Sequence, residues 1–204
     1  MYYINNVQKE VNVIAKNVGK IFEENFKKSI PEYVLIYRPP DQSQSFDMKS
    51  NSNLRFSRHS PCDFMLFDDK RRKFWTLELK SFNGSCSFER TKTDKGIIHF
   101  HQIESLKNFS QYKNVYSGFI LDFRKTDNTY FLSILEWNQL ADSISKKSFN
   151  ENDLLSYCNP ILINKKKSKV NYRYDIEQLL DNIESCEIYN REHKYREYYS
   201  PTTV

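Results

Sequence analysis

The segment "CDFMLFDDKRRKFWTLELK", Cys62 to Lys80, places three charged side chains inside otherwise apolar runs. Asp63 opens one run, and Glu78 and Lys80 close the next. Charged groups are rarely buried without partners or a metal. If 63–67 and 73–81 are strands joined across the charged turn "DDKRR", side-chain alternation puts Glu78 and Lys80 on one face and Trp75, Leu77 and Leu79 on the other. Antiparallel pairing across that turn brings Asp63 beside Glu78. Two converging carboxylates make an oxygen-rich site suited to Mg²⁺ or Mn²⁺. Such an ion activates water and stabilises the charge that develops on a phosphodiester. Lys80 would then hold the nucleophile or neutralise a phosphate. The competing reading is a cross-strand ion pair at a sheet edge.

Spelling alone does not decide between them. Glu-x-Lys arises by chance roughly once in a chain of this size, and a second copy stands at Glu192-His193-Lys194. That copy lies in a polar, Tyr-rich tail (187–204), whereas the one at 78–80 ends an apolar strand with an aspartate one hairpin upstream.

The elements that must position these residues follow from periodicity. Val7, Val11, Ile14, Val18, Ile21, Phe22 and Phe26 recur at helical spacing, so 5–29 reads as an amphipathic helix ending before Pro31. "YVLIY" (33–37) reads as a strand stopped by Pro39-Pro40. Residues 39–60 have no period, are rich in Ser, Asn and Gln, and carry Lys49, Arg55, Phe56 and Arg58; a structureless stretch of this length is usually functional or disordered. After the 63–81 hairpin, 82–97 reads as loop. Residues 100–112 read as a helix, 116–123 and 129–135 as a second hairpin, and "WNQLADSI" as the start of a helix. Residues 160–163 and 170–174 read as a third hairpin around the turn "NKKKSK", followed by a last helix from Asp175. This order implies an α/β fold with a central mixed sheet flanked by helices. With only four glycines and no glycine-rich phosphate loop, a Walker or dinucleotide site is not expected.

Composition sets outer limits. Among 204 residues, 31 Lys and Arg face 26 Asp and Glu, a net charge of +5. That balance permits a polyanionic partner without requiring one. No secretory signal or membrane-length apolar run is visible. The four cysteines, Cys62, Cys86, Cys158 and Cys186, form no CxxC pair, so reduced thiols in a cytoplasmic protein are expected.

"PCDF…TLELKS" resembles the Pro-Asp…Glu-x-Lys signature of the restriction-endonuclease-like nuclease superfamily. More narrowly, "GKIFEENFKKSIP", Asp63, Glu78-Leu-Lys80, "HFHQIESL" (99–106) and "GFILDF" (118–123) follow one another as in RecU-type Holliday junction resolvases. The resemblance runs from about residue 17 to 140. It implies a restriction-endonuclease-like core over 1–186 and a Mg²⁺-dependent endonuclease acting on branched DNA as a homodimer, with no membrane association. It implies that Asp63, Glu78 and Gln102 are metal ligands and Lys80 the catalytic lysine, with Glu23 approaching the site. It also implies that 39–60 corresponds to a protruding stalk that enters the junction. Pro61 stands where the family has threonine, and Lys95 is shifted from the family's loop lysine. The DNA-contacting residues expected are Arg38, Lys49, Arg55, Phe56, Arg58, Lys95 and His101. His99 and His101 alternatively form a zinc pair. A restriction-type nuclease and a catalytically silent DNA-binding protein of the same fold are the other functional readings.

Overall fold

The computed structural model describes residues 18–40 and 60–186. The expected contacts Lys49, Arg55, Phe56 and Arg58, the first part of the N-terminal helix and the Tyr-rich tail lie outside the described residues.

Helix α1 occupies 18–27. Six strands form the central sheet: β1 (Val34–Tyr37), β2 (Phe64–Asp68), β3 (Lys73–Phe82), β5 (Val115–Phe123), β6 (Asn128–Ser133) and β8 (Ile161–Leu162), in the order β1-β2-β3-β5-β6-β8. All neighbours are antiparallel except β3 and β5, which run parallel. The sheet is therefore mixed, as its interleaved helices led us to expect. The parallel pair requires a crossover, which is supplied by α2 (Phe100–Phe109). Around the sheet lie α3 (Ile134–Ser143), α4 (Glu151–Tyr157) and α5 (Ile176–Ser185). Two further ribbons pair β4 (Ser85–Ser87) with β7 (Ser148–Asn150), and β9 (Lys165–Ser168) with β10 (Asn171–Tyr174).

Each face of the sheet buries its own apolar layer. Phe82, Phe119, Leu121 and Phe123 pack with Ile103, Leu106, Trp137 and Phe149 on the α2/α3 side. Phe64, Leu66, Trp75, Leu77, Leu79 and Ile120 pack with Phe22, Phe26, Tyr174, Leu179 and Ile183 on the α1/α5 side. Gly118 on β5 leaves no room for a side chain against β6: a Cβ there would lie 2.4 Å from the Leu132 carbonyl and 2.7 Å from the Phe131 ring.

Two expectations are corrected. The 82–97 stretch carries a strand, β4, and a bridge between Phe88 and Ile98. The "NKKKSK" stretch is not a turn joining 160–163 to 170–174. Ile161 and Leu162 pair with Phe131 and Tyr130, while Lys165–Ser168 is itself a strand that folds back on Asn171–Tyr174. The reason is electrostatic: Lys165 sits 3.3 Å from Asp122 and 2.8 Å from Asp127, its side chain only 8% exposed, which anchors the start of an otherwise exposed extended segment.

Candidate active site

The 63–81 hairpin has the register expected from its turn. Phe64 pairs with Leu77 and Asp68 with Lys73, with Arg72 in a left-handed conformation (φ 55°) inside the turn. Asp63, just before β2, extends the ladder through a 3.1 Å hydrogen bond from its N–H to the Leu77 carbonyl, which sets it opposite Glu78. Because β3 is a central strand, Glu78 is not at an edge. It faces the α2/α3 layer and is only 3% exposed.

The charges are closely coupled. The Lys80 ammonium lies 2.9 Å from Glu78 Oε1. Asp63 Oδ2 accepts a 2.8 Å hydrogen bond from the Leu79 N–H, and the two carboxyls are within hydrogen-bonding reach of each other. Burial pushes the Glu78 carboxyl up to about 8, and the neighbouring Asp63 charge adds to this while Lys80 opposes it. Burial also raises Asp63, with the Leu79 N–H, Lys80 and Arg38 pulling it back.

The start of α2 closes the site. Gln102 donates its amide N–H to Glu78 Oε1, while its amide oxygen accepts a 2.9 Å hydrogen bond from the His99 N–H. Gln102 therefore stands beside the carboxylates, with its oxygen engaged in capping the helix. Glu89, which carried no sequence signal, anchors this corner. It accepts the Phe100 N–H at 2.8 Å and is paired with His99 Nδ1 at 2.8 Å, and its carboxyl is held below its ordinary range first by the Phe100 N–H and then by His99. The His99 and His101 rings stack at 5.5 Å and 11°. Ser60, Cys62, Asp63, Glu78, His99, His101 and Gln102 line a cavity of about 410 Å³.

Glu23 and Arg38 meet outside the cavity lining, on the Phe64 side of Asp63. Their 2.7 Å ion pair joins α1 to the end of β1, with the guanidinium 5.8 Å from the Phe64 ring and close enough to act on Asp63. Glu23 thus reaches the carboxylates through Arg38. Lys95 is exposed and lies outside the cavity wall. Among the described residues, no three His, Cys, Asp or Glu side chains gather into a metal-binding group; the acidic donors here are a pair. Among the described residues, too, no helix is long and apolar enough to cross a membrane. Cys62, Cys86 and Cys158 are buried free thiols, each pushed up to about 12 by burial.

No family model matches the sequence. The chain is similar to the SPbeta prophage-derived uncharacterized protein YotM of Bacillus subtilis (strain 168), with 30% identity over 183 residues covering 83% of this chain and 88% of the relative.

Proposed function

The chain belongs to the family of the SPbeta prophage-derived uncharacterized protein YotM, and from its site we propose a metal-dependent endonuclease of restriction-endonuclease-like fold that cleaves branched DNA, a Holliday junction resolvase of the RecU type. The observation that carries this reading is the set Asp63, Glu78 and Lys80: Glu78 is buried on a central strand, Lys80 lies 2.9 Å from it, and Asp63 stands opposite in register. An ion pair for stability alone is poorly served at such a place, because burying charge costs more than its Coulombic attraction usually returns.

The residues fit a divalent cation. The donors are carboxylate oxygens, the kind Mg²⁺ and Mn²⁺ take, and a cation between Asp63 and Glu78 would relieve the repulsion of their two charges. Asp63 and Glu78 would hold the ion, with Gln102 adjoining. A bound cation there supplies Lewis-acid polarisation of the phosphodiester and a more acidic water.

The chain's own groups do the rest. Lys80 keeps its ammonium beside Glu78, where it can orient the attacking water and neutralise a phosphate oxygen. Gln102 fixes the Glu78 carboxylate through its amide N–H and ties that carboxylate to the start of α2. Arg38, 47% exposed at its side chain and close enough to act on Asp63, presents a guanidinium for a backbone phosphate, with Glu23 fixing its orientation. Resolution needs two symmetric cuts, so a two-fold homodimer belongs to this reading.

The test is cleavage of matched four-way junction, flap and linear duplex DNA with Mg²⁺. Faster cutting of the junction, in paired nicks, supports the resolvase. Equal cutting of all three makes the protein a general nuclease, and no cutting of any refutes the reading.

A further inference from the structure

The lysine-rich ribbon β9–β10 stands apart from the cavity, yet its construction is specific. Its inner face is anchored. Lys165 is buried against Asp122 and Asp127, with its ammonium 4.6 Å from the Tyr172 ring centre. Tyr174 packs on Phe22 and Phe26 of α1, and the Tyr174 N–H donates to Ser29 Oγ at 2.9 Å.

The outer face is different. In this register Lys166 lies directly opposite Arg173, and Ser168 opposite Asn171. Alternation puts these four on the face turned away from the buried Lys165 and Tyr174, and all four are exposed. Like charges directly opposite on a two-stranded ribbon destabilise it. The nearby acids are engaged elsewhere: Asp127 with Lys165, Glu177 with Lys70, and Asp175 as the cap of α5. Arg173 also donates to the Lys28 carbonyl at the end of α1, which aligns it with the exposed Lys27 and Lys28. Two cations, a hydroxyl and an amide on a rigid, extended face suit phosphate oxygens along a backbone rather than one compact anion.

Its position relates to the cavity. β3 runs past Glu78 to Phe82, and Lys165 contacts Asp122, which pairs with Ser81. That level is three residues beyond Glu78, ~10 Å at strand rise. Arg124 and Lys125 follow directly from β5 at the same end of the sheet. The ribbon lies on the α1/α5 face of the sheet and Glu78 on the α2/α3 face, so a duplex that touches both passes round this end of the sheet.

We propose that the β9–β10 ribbon is a phosphate-backbone arm, its outward Lys166–Arg173 pair gripping the duplex that leads away from the cleavage site. This rests on the nuclease reading above. The arm contacts backbone and not base edges, so it contributes equally to junction and linear DNA.

Fluorescence anisotropy with labelled four-way junction and linear duplex, in EDTA to prevent cutting, tests it across a salt series. Lys166→Ala/Arg173→Ala is expected to weaken both DNAs about tenfold near physiological salt and to lower the salt slope by about 2, since each phosphate contact contributes about 0.9. Lys166→Ala alone, which leaves the Arg173 bond to Lys28 in place, is expected to lower the slope by about 1. Lys73→Ala, at the opposite end of β3, serves as the unaffected control. If the wild-type protein binds DNA and both ribbon variants keep its affinity and slope, the arm is refuted while the nuclease reading stands. A wild-type protein that binds neither DNA overturns both.

Discussion

Removing the charge of Glu78 is expected to abolish a pH dependence of stability that the metal-free protein should show. Glu78 is 3% exposed and its carboxyl is raised first by burial and then by Asp63, to about 8 from an ordinary 4.5. The sign follows directly. A folded state that holds a proton more tightly than the unfolded chain is favoured at low pH. Its advantage is complete below about 4.5 and is lost as pH rises towards 8. One proton bound only by the folded state gives about 1.4 kcal/mol per pH unit. Between about pH 5.5 and 7.5 the ceiling is therefore about 3 kcal/mol, and sharing of the proton with Asp63 reduces it. We expect a loss of about 1–2 kcal/mol, roughly 2–8 °C in Tm for a chain of this size. The assay is thermal unfolding in EDTA of wild type and Glu78→Gln across this range. The difference between the two removes the contribution of acids shifted the other way, such as Asp94, which its hydrogen bond with Lys147 holds down at about 2. Mg²⁺ at the upper pH should restore the wild type and leave Glu78→Gln unmoved. Parallel wild-type and variant curves, or a wild type that gains stability with pH relative to the variant, would refute the reasoning.

Other consequences are equally direct. Arg71 is 8% exposed and bridges the fully buried Asp68 at 2.7 Å to Asp181 and Glu184 of α5; Arg71→Ala leaves Asp68 without its cation and should cost about 3 kcal/mol, seen as a lower denaturant midpoint, and a change under about 0.5 kcal/mol would show the pair to be dispensable. Replacing 41–58 with a short Gly-Ser linker should slow junction cleavage far more than duplex cleavage; an equal loss on both reduces the segment to an electrostatic tether. Sedimentation at micromolar concentration should give a dimer, and a strict monomer with and without DNA would remove the paired-cut mechanism.

The core of the site was legible because it depends on local rules. Apolar runs on either side of "DDKRR" define a hairpin, and its register sets Asp63 opposite Glu78 without any long-range information. Period alone also located α2, β5, β6 and α5. What escaped depends on distant partners. Lys165–Ser168 reads as a polar turn until Asp122 and Asp127, some forty residues earlier, are placed beneath it. The three-residue strands β4 and β7 are too short to carry a period, and each exists because it pairs with the other. Glu89 looks like any loop glutamate, and its role at His99 and the start of α2 emerges only when the Phe88–Ile98 bridge folds the loop back. Arg38 drew notice as a loose cation, whereas its orientation comes from Glu23 on α1.

The most direct measurement is single-turnover cleavage of a four-way junction with Mg²⁺ by wild type, Asp63→Asn and Glu78→Gln, alongside junction binding by the same three proteins. Both substitutions keep side-chain shape and remove one carboxylate charge. The account predicts that wild type cuts, that both variants lose cleavage by at least about a thousandfold, or roughly 4 kcal/mol in the barrier, and that all three bind the junction within a few-fold of one another. Cleavage by either variant at near wild-type rate would contradict it.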